Sequence, residues 1–173
     1  QILQIFLCTF CLFFNSKVLA NNQYTTFYID KSIIGFPEVD YFNSKTTFHL
    51  VSHGRPGELF ISGHWLNAIQ IGSFLEKNLP NSTHSINIYG CEFGKGIIGQ
   101  QAVNYLEQLL GKKIYASDNI TGQGGDWVLE IGNKIIKCAV LNNYGSNLQY
   151  ADNEDFDGDA KLNGVDLDDD NDG

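Results

Sequence analysis

The sequence predicts an α/β fold of three layers, in which a mostly parallel sheet lies between helices on both faces. Short runs of apolar, aromatic and β-branched residues alternate with two segments of helical period. The runs are nearly continuous in apolar character, as strands buried on both faces of a parallel sheet are. Near residue 132 the pattern becomes an alternating one around a Gly-Asn turn, which predicts an antiparallel edge.

The first half of the chain predicts two strands, a hairpin and a helix. Residues 25–30 and 46–52 are rich in Thr, Phe, Ile and Val, which suit a pleated and buried surface. A Gly-Arg-Pro-Gly turn at 54–57 precedes a small predicted hairpin at 58–66. An amphipathic segment follows, and Pro80 sets the end of the predicted helix.

The second half predicts a strand, a helix, a strand and a hairpin. Gly111 follows the helical pattern directly and suits the left-handed position after a helix. The predicted elements are a strand at 85–89, a helix at 97–110, a strand at 113–117, and a hairpin of 126–131 with 134–140.

Charge divides the chain into a neutral body and an acidic end. The formal net charge is −9, and residues 151–173 hold ten acidic residues and one basic residue. No basic stripe is present, so the sequence gives no indication of nucleic-acid binding. We predict a domain at 21–148 and an Asp-rich segment at 149–173.

The N-terminal segment indicates secretion. Residues 2–14 are apolar, and Val18-Leu19-Ala20 resembles a signal-peptidase site, so residues 1–20 predict a signal peptide that lacks its basic start. The alternative is an N-terminal membrane anchor, although the apolar run is shorter than the ~18 residues of a membrane span. We expect a secreted or cell-surface protein with no membrane span after cleavage, encoded within a longer reading frame.

Two predicted strands lead directly into reactive residues. The predicted strand 46–52 is followed directly by His53-Gly54, and the predicted strand 85–89 is followed by Gly90 and then Cys91. The carboxyl ends of parallel strands share one edge of a sheet, where α/β proteins bind ligands. A thiol beside an imidazole suffices for nucleophilic catalysis, with His53 as the base. The amides of Gly54 and Cys91 are candidates for an oxyanion hole.

Each of these residues also has a structural interpretation. A buried Cys at a strand end is commonly a packing residue, and a His-Gly pair commonly forms a turn. Cleavage of the signal leaves Cys91 and Cys138, and a disulfide between them is the alternative that removes the nucleophile. His49 is predicted to belong to the core.

Four segments resemble the bacterial DUF4347 domain. Residues 48–59 are similar to its LHIVSHGxPGxL motif, 88–91 to LLYGC, 116–122 to ASTDLTG and 124–130 to GGDWxLE. The resemblance covers about residues 25–140 and implies a domain of large secreted and surface proteins with no established activity. The order of His-Gly and Cys is also similar to that of caspase-like cysteine peptidases, which implies a caspase-like fold. The sequence departs from the caspases, because Q-A-C-x-G is absent and Glu92 follows Cys91.

The acidic end contains one template twice. Residues 153–158 and 168–173 both follow D/N-x-D-x-D-G, in which alternating oxygen ligands precede a glycine turn. Such a set suits Ca²⁺ and resembles thrombospondin type-3 repeats. The predicted Ca²⁺ ligands are Asp155, Asp157, Asp168, Asp170 and Asp172. The alternative is a solvated, disordered acidic linker.

Two functions follow from these observations. One is a cysteine peptidase-like module with a Cys91–His53 dyad, whose substrate is a polypeptide or the protein's own C-terminal modules. The other is a non-catalytic structural or adhesion module of a large cell-surface protein. The cofactor expected in either case is Ca²⁺ in the acidic segment.

Overall fold

Nine strands and three helices form the part of the chain that the structure describes. The structure is a computed structural model, and it describes residues 26–37 and 42–150. In chain order the elements are β1 (Phe27–Ile29), β2 (Thr47–Val51), β3 (His53–Arg55), β4 (Glu58–Ile61), β5 (His64–Asn67), α1 (Ala68–Asn78), β6 (Ser85–Tyr89), α2 (Gly96–Leu110), β7 (Lys113–Ala116), β8 (Val128–Leu129), β9 (Lys134–Ile135) and α3 (Ala139–Asn142).

The central sheet has four strands in the order β1-β2-β6-β7, and every neighbouring pair is parallel. Leu50 lies opposite Ile88, which lies opposite Ala116, and all three are fully buried. The prediction of an α/β fold with a parallel sheet is therefore confirmed.

Both long helices cover the same face of this sheet. Ile71 and Leu75 of α1 and Leu106 of α2 pack in one cluster with Leu50 and Ile88. The crossovers β2–α1–β6 and β6–α2–β7 step in the same direction across the sheet. Because such crossovers are right-handed, both helices belong on one side.

The opposite face is covered mainly by strands and loops. Val51 and Tyr89 point into a second cluster with Trp127, Leu129 and Leu141. The only helix of the described residues that contributes to this cluster is α3, which has four residues. The predicted second helical layer is thus reduced to a single turn.

The antiparallel strands form small sheets of their own. Strands β3, β4 and β5 make a three-stranded sheet, and β8 pairs with β9. An antiparallel pairing was predicted at the edge of the central sheet. The structure has a single antiparallel bridge there, between Ala116 and Ile131. The helices and strands predicted at 58–66, 85–89 and 97–110 appear within one or two residues of their expected bounds.

The strand predicted at 134–140 is correct only for residues 134–135. It ends at Ile135, and residues 139–142 are helical. The partner strand cannot extend the ladder, because the backbone of Asp126 is bonded to the 120–122 loop. Gly122 N donates to the Asp126 carbonyl (3.0 Å), and Asp126 N donates to the Ile120 carbonyl (3.1 Å).

Several predictions concern residues outside the described ranges. The signal peptide at 1–20 and all five predicted Ca²⁺ ligands lie there. Among residues 26–37 and 42–150, no helix is both long enough and apolar enough to cross a membrane.

Candidate active site

β2 and β6 end side by side. Gly54, which follows His53, lies against Gly90, which precedes Cys91. A Cβ atom at Gly54 would lie 2.7 Å from the carbonyl oxygen of Cys91 and 2.7 Å from the carbonyl carbon of Gly90. A Cβ at Gly90 would in turn lie 3.4 Å from the Cα of Gly54. The backbones of 53–54 and 90–91 are therefore in direct contact, as the order of the strands predicts.

His53 does not extend β2 but begins a strand of another sheet. Ser52 lies between the two strands, and its hydroxyl donates to the carbonyls of His53 (2.9 Å) and Phe60. His53 is then paired with Phe60 of β4. The change of sheet turns His53 inward, where its side chain is almost completely buried.

Cys91 lies in the loop after β6 and contacts the segment that follows β7. Thr121 N donates to Sγ at 3.2 Å, and Sγ lies 3.8 Å from the Thr121 carbonyl, to which the thiol donates. The side chain of Cys91 is 1% exposed. Cys91 is therefore held by hydrogen bonds in an enclosed position.

Burial raises the pKa of the Cys91 thiol. Hydrogen bonds from the backbone amides of Thr121 and Leu148 oppose this effect, and the negative charge of Glu92 adds to it. In this arrangement the thiol is protonated at neutral pH. The negative charge of Glu92 raises the pKa of the thiol less than burial does.

Glu92 itself is directed toward a neighbouring cation. It forms an ion pair with Lys95 across one turn at the surface. Its backbone has a φ of 60°, in the left-handed region, so the turn after Cys91 is sharp. The turn is tied to the 117–119 loop, because Glu92 N donates to the Asn119 carbonyl (2.8 Å) and Gly94 N to the Ser117 carbonyl (2.7 Å).

Leu148 connects the two reactive residues. Its carbonyl lies 3.2 Å from Nδ1 of His53, and its amide acts on the Cys91 thiol. A carbonyl only accepts, so Nδ1 carries the hydrogen in this contact. In the neutral form of the ring the lone pair is then on Nε2, the atom through which an imidazole would accept a proton.

Comparison with known proteins identifies the family. Residues 23–159 match the family described as a domain of unknown function, DUF4347. The chain belongs to the DUF4347 family. No curated protein and no solved structure matches this chain.

Two residues of this candidate site, Thr121 and Leu148, were not predicted from the sequence. Thr121 lies in the 116–122 motif, so the resemblance marks its segment but not its contact with the thiol. Leu148 is the last residue of the predicted domain, and nothing in its local sequence indicates that it returns to the site. Only the long-range contacts of the fold bring it there.

The remaining thiol of the described DUF4347 domain is separate from Cys91. Cys91 and Cys138 are both free, and Cys138 is half-buried. The disulfide between Cys91 and Cys138, which was the alternative interpretation of the sequence, is not formed. Within residues 26–37 and 42–150, no group of three or more His, Cys, Asp or Glu side chains is placed to hold a metal ion.

Proposed function

We propose that this DUF4347 domain is a caspase-like cysteine peptidase module, with Cys91 as nucleophile and His53 as general base. Its substrate is a polypeptide, and the protein's own longer chain is one such substrate. The observation that carries the proposal is the direct contact of the His53-Gly54 and Gly90-Cys91 backbones at adjacent strand ends. A second support is that Leu148 interacts with both residues, because its carbonyl lies 3.2 Å from Nδ1 of His53 and its amide lowers the pKa of the Cys91 thiol.

The proposed reaction uses the two side chains in turn. His53 accepts the thiol proton, and the sulfur of Cys91 forms a bond to the carbonyl carbon of the peptide. As the C–N bond breaks, His53 returns the proton to the leaving amine. Water then hydrolyses the thioester and frees the thiol. In this scheme the amides of Gly54 and Cys91 stabilise the oxyanion.

The test measures the reactivity of Cys91 in the folded protein. The full chain is treated with iodoacetamide over a range of pH, and the modified Cys91 peptide is quantified by mass spectrometry. We expect His53→Ala to slow the modification at neutral pH by about tenfold or more, because a general base contributes factors of roughly 10² to 10⁴. His64→Ala is the matched control, since His64 is exposed on β5 and should leave the rate unchanged.

A measurable modification of Cys91 that proceeds at the same rate in the wild-type protein and in His53→Ala would reject the dyad. That result would favour the alternative, a non-catalytic module of a surface protein. The burial of Cys91 and the raised pKa of its thiol are the observations that favour this second function.

We also propose that the protein is secreted and binds Ca²⁺ through its acidic segment. The support is the repeated D/N-x-D-x-D-G template after a neutral domain, and the apolar segment with a small-residue site at 18–20. The proposed ligands remain Asp155, Asp157, Asp168, Asp170 and Asp172.

Titration calorimetry of the full chain tests the Ca²⁺ site. We expect heat of Ca²⁺ binding that is lost when Asp155 and Asp157 are both replaced by Asn, because neutral amides attract the cation less. Replacement of Asp118 and Asp126 by Asn removes the same charge from the domain and should leave binding unchanged. Binding that survives the first double substitution and not the second would contradict the assignment.

A further inference from the structure

The segment 146–150 crosses the candidate active site and pairs with the surrounding backbone through two isolated β-bridges. Gln149 forms a parallel bridge with Gly54, and Asn147 forms an antiparallel bridge with Gly122. Gln123 N donates to the Ser146 carbonyl (2.8 Å), and Leu148 N donates to the Thr121 carbonyl (3.0 Å). The segment thus runs between β3, at Gly54, and the loop of Gly122, and its main chain is bonded to both.

Leu148 is the centre of this segment. Its side chain is fully buried in the second cluster, beside Cys91. Its amide lowers the pKa of the Cys91 thiol, and its carbonyl lies 3.2 Å from Nδ1 of His53. An aliphatic side chain therefore fills an enclosed space in the cluster that contains Cys91, while the backbone on its two sides interacts with His53 and Cys91.

Tyr150 closes the outer side of His53. Its ring stands edge-on to the imidazole with 5.5 Å between centroids. It also packs on Phe60 (4.9 Å) and Trp65 (5.1 Å) of the small sheet. The imidazole is 8% exposed under this cover.

We propose that segment 147–150 occupies a peptide-binding groove and keeps the site closed. The groove takes an extended peptide with an aliphatic side chain at the position of Leu148. Main-chain hydrogen bonds to an added strand provide affinity, and a pocket for an alternate side chain provides specificity. The substrate class assigned here rests on the proposed peptidase function, whereas the closure of the site by the segment does not. Reaction of Cys91 requires that the segment leave the groove.

The first experiment compares two leucines of the same cluster. Leu148 and Leu141 are both fully buried there, but Leu141 belongs to α3, whereas the carbonyl near Nδ1 of His53 is that of Leu148. We expect Leu148→Ser to increase the iodoacetamide modification rate of Cys91 at least tenfold over that of Leu141→Ser in the full chain. The half-exposed Cys138 serves as an internal reference in each sample.

A milder variant covers the case in which Leu148→Ser does not fold. Tyr150→Ala removes a half-buried ring and leaves the buried cluster intact, as circular dichroism should verify. We expect it to increase the rate severalfold. Folded variants at 148 or 150 with the rate of Leu141→Ser would overturn the proposal.

A synthetic peptide tests the groove itself. A blocked peptide of residues 146–150 should slow the modification of Cys91 in Leu148→Ser, and the same peptide with Ser in place of Leu should protect at least tenfold less. Equal protection by the two peptides would overturn the assigned specificity.

The modification rates of Cys91 also distinguish a failure of this proposal from a failure of the proposed function. If Leu148→Ser exposes a thiol whose reactivity does not depend on His53, the segment closes the site but the dyad fails. If the reactivity of Cys91 depends on His53 while Leu148→Ser has no effect on it, the dyad is supported and the segment does not close the site.

Discussion

At the scale of single residues, the site depends on positions that have no side chain. Gly54 and Gly90 face each other where the two strand ends converge, and a Cβ at Gly54 would meet the backbone of Gly90 and Cys91 at 2.7 Å, whereas a Cβ at Gly90 would meet the side chain of Leu59 at 2.6 Å. The close approach of the two backbones therefore requires glycine after His53, and glycine before Cys91 leaves room for Leu59. This requirement links the His-Gly and Gly-Cys motifs of the sequence to one contact in the structure.

Replacement of Gly54 by Ala should destabilise the domain by about 1–3 kcal/mol, the usual cost of overpacking. The new methyl group would meet the backbone of Gly90 and Cys91 at 2.7 Å, and backbone atoms cannot turn aside as a flexible side chain can. Urea unfolding followed by tryptophan fluorescence measures the change.

Gly145→Ala is the control for this substitution. Gly145 has open space around its Cβ position and no positive φ, so a methyl group there should be tolerated. If Gly54→Ala is as stable as Gly145→Ala, the two strand ends are farther apart than the structure places them.

At the scale of the elements, local sequence predicted most strands and helices because each carries its own pattern. The segment of α2 has an apolar face and ends at Gly111, which adopts a φ of 61° as a left-handed cap. The bounds of β6 match the run of apolar and β-branched residues. Hydrophobic period and turn residues are properties of neighbouring positions, so they can be recognised without the fold.

The placement of the helices was not predictable in the same way. Their common face follows from the strand order β2-β6-β7, and no local pattern specifies which strands are neighbours. The change of sheet at Ser52 was missed for a similar reason. Residues 46–52 are predicted as a single strand from their apolar and β-branched side chains, and no local pattern indicates that the pairing passes from β6 to β4 after Val51.

The site itself was predicted in part. His53, Gly54 and Cys91 are brought to one place because parallel strands share an edge, which is a rule of the whole sheet. Leu148 and Tyr150 were not predicted, since a return of the chain over 95 residues to His53 leaves no local signal. With these two residues in place, His53 and Cys91 are both buried.

At the scale of the whole molecule, a buried polar network lies under the face without long helices. The Tyr89 hydroxyl lies 2.9 Å from Nδ1 of His49 and accepts from Asn87 Nδ2 at 3.0 Å. Lys134 Nζ donates to Asn87 Oδ1 at 2.8 Å and lies over the Tyr115 ring. The network connects β2 and β6 of the sheet to β9, so its protonation affects the stability of the domain.

Burial, with a smaller effect of the Lys134 charge, lowers the pKa of His49 from 6.5 to about 3. The unfolded chain therefore binds a proton between these values while the folded domain does not. The contribution of His49 to the free energy of unfolding is fully present above pH 6.5 and is lost as the pH falls toward 3. One pKa unit corresponds to ~1.4 kcal/mol, so the loss is on the order of several kcal/mol.

His49→Gln isolates this contribution, because the amide can bond to the Tyr89 hydroxyl but does not titrate. We expect the free energy of unfolding, measured by urea titration between pH 7 and pH 4, to fall less steeply for His49→Gln than for the wild-type protein. His64→Gln changes an exposed histidine of β5 and should reproduce the wild-type slope. Parallel slopes for all three proteins would mean that His49 is protonated in the folded domain, and that the network under the sheet tolerates a charge.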